Sequence, residues 1–150
     1  MRRIFDLKQR EDSKSMIILV AEEKDILQYV AAPDLAVFDF IENQTRPTTI
    51  IFEHAIGLPD NLVSSDGSIA IRIVQDSFCR HLIKRLRKPI VSTSANISGQ
   101  PSPQHFKNVS NEIKKGVDYI VKWRQNDLSS SQPSQIIKWK SDGNYEVIRK

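Results

Sequence analysis

Apolar residues along the chain fall into short bursts that follow two rhythms. One rhythm is continuous or alternating. SMIILVA (15–21) and TTIIF (48–52) are unbroken and rich in β-branched side chains, as buried strands require. SIAIRIV (68–74) alternates, which suits a strand with one face toward a core. PIVST (89–93), VDYIV (117–121), SQIIKW (134–139) and YEVIR (145–149) supply four more strand candidates.

The other rhythm steps by three and four. RRIFDLK (2–8) reads as the last turns of a helix, with Ile4, Phe5 and Leu7 inward. EEKDILQYV (22–30) places Ile26, Leu27 and Val30 on one helical face. APDLAVFDFIENQ (32–44) opens at Pro33 and spaces Leu35, Phe38 and Ile41 as a helix would. QDSFCRHLIKRLR (75–87) predicts a helix capped by Asp76, and FKNVSNEIKKG (106–116) a helix ending at Gly116. GLPDNLVSSDG (57–67) is turn-rich, and QNDLSSSQPS (125–134) reads as a flexible loop.

Strands and helices thus alternate along most of the chain. This predicts an α/β protein, a single domain over residues 1–150 with a twisted mixed β-sheet flanked by helices. In such sheets ligands bind beyond strand ends, in the loops that follow. STSANISG (92–99) occupies that position after KPIV. Its hydroxyls, amide and glycine can bind phosphate or carboxylate oxygens, or can simply cap and turn the backbone.

Composition narrows the classes. A net charge of +4 is compatible with an anionic ligand or with RNA and demands neither. The cations gather in RHLIKRLRK (80–88), either a solvated helix face or a phosphate-attracting patch. The single cysteine, Cys79, excludes an internal disulfide and fits helix packing; a cytoplasmic location is the default. No apolar run approaches the ~20 residues of a membrane span, and no secretory leader is visible.

Several chemistries lack their motifs. There is no phosphate-binding Walker loop, no GxGxxG and no GxSxG elbow. His54, His81 and His105 have no metal-ligand spacing, so no metal site is expected; His54 reads as a loop residue and His81 as helix surface. Trp123 and Trp139 read as core or edge aromatics. Lys8 and Arg10 stand two apart at a helix end, where they suit the helix dipole as solvated cations or reach one anion together.

KPIVSTSANISGQPSP (88–103) resembles the signature of the YrdC-like family, the threonylcarbamoyl-adenylate synthases. RIFDLKQR (3–10) is similar to that family's Lys-x-Arg segment, RPTTIIF (46–52) to its Pro-x-Thr strand, and GSIAIRI (67–73) to its Arg-bearing strand. PSQIIKW (133–139) and YEVIRK (145–150) resemble its last two strands. The resemblance implies a YrdC-like fold and an enzyme, a nucleotidyltransferase that joins L-threonine, bicarbonate and ATP into threonylcarbamoyl-AMP and pyrophosphate for threonylcarbamoyladenosine in tRNA.

It implies catalytic roles for Lys8, Arg10, Ser94 and Asn96, and ligand-binding roles for Thr49, Arg72, Ser92, Ser134 and Arg149. ATP is then a substrate, with Mg²⁺ carried on its phosphates. Partners would be tRNA or double-stranded RNA and the tRNA-modification proteins that accept the adenylate, with no membrane.

The family's usual opening, Pro-Thr-Asp-Thr-x-Tyr-Gly-Leu, has no counterpart in these 150 residues, so the resemblance predicts an N-terminally truncated domain. Thr45-Arg46, Val74, Gln135 and Lys138 also depart from the family pattern. The alternative function is a non-catalytic RNA- or nucleotide-binding module on the same fold. Related domains inside larger carbamoyl-transfer proteins, such as those of hydrogenase maturation, offer a third.

Overall fold

A computed structural model describes residues 2–10, 16–129 and 133–150. Packing divides the chain into two compact units. One comprises residues 1–14 and 93–132, the other 15–92 and 133–150.

The larger unit holds one mixed six-stranded sheet. Its strands are β1 (Ile17–Val20), β2 (Thr48–Phe52), β3 (Ile69–Ile73), β4 (Ile90–Ser92), β5 (Gln135–Trp139) and β6 (Tyr145–Arg149), in the order β4-β1-β3-β2-β5-β6. β1 runs parallel to β3 and β2 parallel to β5; the other three pairings are antiparallel. The continuous apolar runs lie at the centre: Ile18, Val20, Ile50, Ile69 and Ile71 are all buried. The short β4 and the exposed β6 form the edges, and β6 carries Glu146 into solvent, which discourages further pairing.

Helix α3 (Ser77–Leu86) begins as its sequence predicts, with the Asp76 carboxylate accepting from the Cys79 N–H at 2.9 Å. Its buried face joins Ile83 to Leu19, Ala21 and Val74, and Cys79 packs against this group as an ordinary half-buried thiol. Truncating a side chain as buried as Ile83 costs about 2–5 kcal/mol.

Two expectations change here. The segment EEKDILQYV forms a 3₁₀ helix, Glu23–Gln28. Asp25 caps its start by accepting from the Ala21 and Glu22 N–H groups, and Val30 is drawn into a bridge with Ala55, so the helix has no room to lengthen. Ile26 and Val30 are buried, whereas Leu27 faces solvent. Helix α2 (Ala36–Glu42) starts one residue later than Leu35, because Asp34 accepts from the Ala36 N–H and the Val37 N–H. That start turns Val37 inward and leaves Leu35 outside. Trp139, the edge aromatic, stacks on Tyr145 at 5.7 Å between centroids, touches Phe40, and donates its indole N–H to Asp34.

The smaller unit contains α1 (Arg2–Lys8) and α4 (Asn111–Gly116). Phe5 is buried in α1, with Ile4 and Leu7 half-buried. Gly116 permits close approach of the two helices: a Cβ there would stand 2.1 Å from a Leu7 methyl. The helix expected over 106–116 is divided. A 3₁₀ turn at Phe106–Asn108 ends at extended Val109, and Ser110 then caps α4 by accepting from the Ile113 N–H.

VDYIV forms no strand; its backbone finds no strand partner among the described residues. Trp123 is also not a core residue, being 61% exposed in a turn. The loop expected over 125–134 falls partly on residues 130–132, outside the described residues.

Candidate functional site

In the smaller unit, the chain between Thr93 and Gln100 folds around one side chain. Lys8 closes α1, and Gln9 turns the backbone out with φ +49°. The Lys8 ammonium donates to the Ser94 carbonyl and, at 2.5 Å, to the Asn96 carbonyl. The Lys8 carbonyl accepts from the Ser98 N–H at 2.8 Å. Main chain and side chain of one residue therefore pin the loop together.

Lys8 is only 4% exposed. This corrects the solvated helix end that spacing alone favours. Among the described residues no carboxylate pairs with it. Desolvation, and then the charge of Arg10, holds its pKa below the usual lysine value. Two of its three N–H donors go to carbonyls. A buried ammonium with two carbonyl acceptors and no counter-ion among the described residues is an electrostatic setting that an anion would complete.

Asn96 adds to it. Its side-chain N–H group donates to the carbonyls of Ile97 (3.0 Å) and Gln100 (2.7 Å), which fixes the amide orientation. Its Oδ1 is then buried without a hydrogen-bond partner. Gly99, at φ +83°, supplies the left-handed turn that closes the loop. Ser94 is exposed, leaving its hydroxyl open to a ligand while its carbonyl holds Lys8. Lys8, Ser94 and Asn96 are thus brought together, and Arg10 lies two residues beyond Lys8 with its charge felt by it.

The larger unit gathers most of the other candidates. The parallel register sets Thr48 opposite Gln135 and Thr49 opposite Ile136. Thr49 and Ser134, both buried, share a hydroxyl hydrogen bond of 2.9 Å. Arg149 on β6 donates through Nε (3.1 Å) and Nη2 (2.6 Å) to the Ser134 carbonyl. Half-buried Arg72 on β3 has its pKa lowered by desolvation, partly offset by the Cys79 thiol, with the charge of Arg149 lowering it further. Arg72 and Arg149 repel each other, and neither is in an ion pair with a carboxylate among the described residues. Ser92 ends β4, half-buried opposite Ile17, and takes part in none of these bonds.

Sequence reasoning missed two things. The carbonyls that hold Lys8 are main-chain atoms and leave no mark in residue identity. The exposure of Tyr119 and Trp123 was hidden because VDYIV has a strand's composition. No three His, Cys, Asp or Glu residues gather to hold a metal ion among the described residues, and no helix there is long and apolar enough to cross a membrane. His54 and His81 are both exposed, as expected for a loop and a helix surface.

A mixed six-stranded sheet with flanking helices defines the class as α/β. The comparisons narrow it. The model of the Sua5/YciO/YrdC family, described as "Telomere recombination", matches residues 1–150. The chain belongs to that family. A Methanocaldococcus jannaschii protein provisionally named threonylcarbamoyl-AMP synthase is 34% identical over 145 residues, covering 95% of this chain and 65% of that protein. The chain therefore spans about two thirds of that relative's length. The crystal structure of YciO from E. coli superposes with a TM-score of 0.82 at 21% identity, over 100% of this chain and 72% of that one. P. abyssi Sua5, crystallised with L-threonine, gives 0.77 at 21% identity over 91% and 40%. These likenesses bear out the YrdC-like fold.

Proposed function

We infer that this chain acts in the synthesis of threonylcarbamoyl-AMP from L-threonine, bicarbonate and ATP, as a transferase serving tRNA modification. The observation that carries the reading is Lys8: a buried ammonium, gripped by two carbonyls of STSANISG, with no carboxylate partner among the described residues. The 34% identity to the named M. jannaschii relative supports it, as does the threonine-bound state of a protein of like fold.

In this reading the threonine amine adds to the carbon of bicarbonate, and water leaves to give a carbamate. A carbamate oxygen then attacks the α-phosphorus of ATP, and the bond to the β-phosphate oxygen breaks to release pyrophosphate. The protein's part is to position the reactants and neutralise charge. Lys8 and Arg10 draw phosphate oxygens to the loop. The Ser94 hydroxyl hydrogen-bonds one of them, and the Asn96 Oδ1 accepts from a ligand hydroxyl or N–H. Thr49 and Ser134 keep Arg149 oriented, and Arg149 with Arg72 offers a positive field to carboxylate or phosphate; Ser92 is an outlying member. Mg²⁺ enters with the nucleotide, since no three His, Cys, Asp or Glu residues gather to hold it among the described residues.

Pyrophosphate release by the purified chain tests this. Release that requires ATP, L-threonine and bicarbonate together is the expected result. A folded chain that releases none, yet still binds RNA in a salt-sensitive way, would overturn it in favour of a non-catalytic module.

A further inference from the structure

The larger unit holds a cavity of about 490 Å³ at the Val20 end of β1, beside Pro89, where the chain enters β4. That size lies within the range of small-molecule pockets. None of Lys8, Arg10, Ser94, Asn96 or the residues gathered around Ser134 lines it. Ser92 stands at the other end of the β1–β4 pair, opposite Ile17. The cavity has apolar surface to offer: Val20, Ala21 and Ile83 are buried in its lining, with Tyr29 and Pro89 half-buried beside them.

Four cations line it, Lys24, Lys84, Arg87 and Lys88, with two carboxylates, Glu22 and Asp25. Both acids are occupied. Glu22 pairs with Lys24 at 2.8 Å and with Lys84. The Asp25 carboxylate accepts from the Ala21 and Glu22 N–H groups at 3.1 and 2.9 Å. Arg87 and Lys88 take part in no ion pair among the described residues. The dipole of α3 is already answered by Lys84 and Arg85 in its last turn. The cavity is what sets Arg87 and Lys88 apart from Arg80 and Arg85, which do not line it. Arg87 also caps α3 in the left-handed region, at φ +53°, its N–H donating to the Ile83 carbonyl at 2.8 Å. Glycine is the usual residue there, and a long cationic side chain is kept at a conformational cost. Strain of that kind gathers where a side chain has a ligand to hold.

We propose that this cavity binds a small organic phosphomonoester, its phosphate held by Arg87 and Lys88 and its apolar body lying on Val20, Ile83, Pro89 and Tyr29. A guanidinium fork beside a mobile ammonium suits phosphate oxygens, and a dianion matches both unpaired charges where a carboxylate would match one. The apolar lining gives the rest of the molecule a place that inorganic phosphate would leave empty.

The probe is phenyl phosphate, titrated into the ¹⁵N-labelled chain and followed at the Val20 and Tyr29 amides. Saturable shifts are expected, with inorganic phosphate bound about 10-fold more weakly because it buries no ring. Arg87→Gly should weaken phenyl phosphate binding about 10-fold, and Lys88→Gln about threefold. Glycine suits the left-handed cap, so the urea midpoint of Arg87→Gly should hold or rise, a direction opposite to its effect on binding. Lys8→Ala should leave the shifts at Val20 and Tyr29 unchanged, and Arg87→Gly should leave pyrophosphate release unchanged, so this site and the threonylcarbamoyl-AMP chemistry fail separately.

Absence of saturable shifts at Val20 and Tyr29 overturns the proposal. So does inorganic phosphate that binds as tightly as phenyl phosphate, which would make the cations a plain charged patch, or binding that survives both Arg87→Gly and Lys88→Gln.

Discussion

Lys8 and most of the cations around α3 stand near a helix C-terminus, where positive charge is favoured, and they end in opposite environments. Arg80, Lys84, Arg85, Arg87 and Lys88 stay hydrated, and Lys84 pairs with Glu22. Lys8 is taken out of water and held by two carbonyls. Hydrated cations cost nothing to fold and need no ligand. A desolvated cation without a carboxylate does cost, and a binding site is where that cost has a purpose. One buried lysine is therefore a stronger functional sign than five exposed cations in a run.

The largest way to test that contrast is Lys8→Ala. It should lower the rate of pyrophosphate release about 100-fold or more, as removal of a single aimed donor does in other sites. The double change Lys84→Ala/Arg85→Ala should alter it less than about twofold.

The same lysine predicts a pH dependence. The unfolded chain keeps this proton to higher pH than the native chain does, because burial and Arg10 lower the native pKa below 10.5. Stability linked to Lys8 is therefore fully present above 10.5 and is lost as pH falls through the native pKa. A bound anion favours the charged form, so ATP affinity should fall as pH rises through that window. Calorimetric titrations between about pH 7 and pH 10 measure it.

Thr49→Val offers an intermediate effect. It keeps the shape of a fully buried side chain and removes the partner of the Ser134 hydroxyl. Urea unfolding should show a loss of about 1–2 kcal/mol. Ser134→Ala added to it should cost less than its own single change, because the bond is already gone.

How far the sequence reaches is clear from these residues. The α3 helix, its Asp76 cap and the strands from β1 to β6 are legible, because local pattern and turn chemistry agree with the fold at each of them. VDYIV is illegible, since the composition of a strand cannot show whether a partner strand is within reach. The Thr49–Ser134 pair joins residues 85 apart through the adjacency of β2 and β5, which no local window contains. Ser94 and Asn96 are legible as candidates, whereas the burial of Lys8 beneath their carbonyls is not.

Smaller effects complete the contrast. Asp76→Ala removes the cap of α3 and should cost about 1 kcal/mol in thermal or urea unfolding without changing pyrophosphate release. Glu22→Gln removes a carboxylate whose pKa is held at about 2 by Lys24 and Lys84. That group is solvent-facing, so the melting temperature should not move measurably.

The most direct test is calorimetric titration of ATP, with L-threonine and bicarbonate present, into the wild-type chain and Lys8→Ala. The account predicts saturable binding by wild type and its loss in a variant that remains folded. Undiminished ATP binding by folded Lys8→Ala would contradict it.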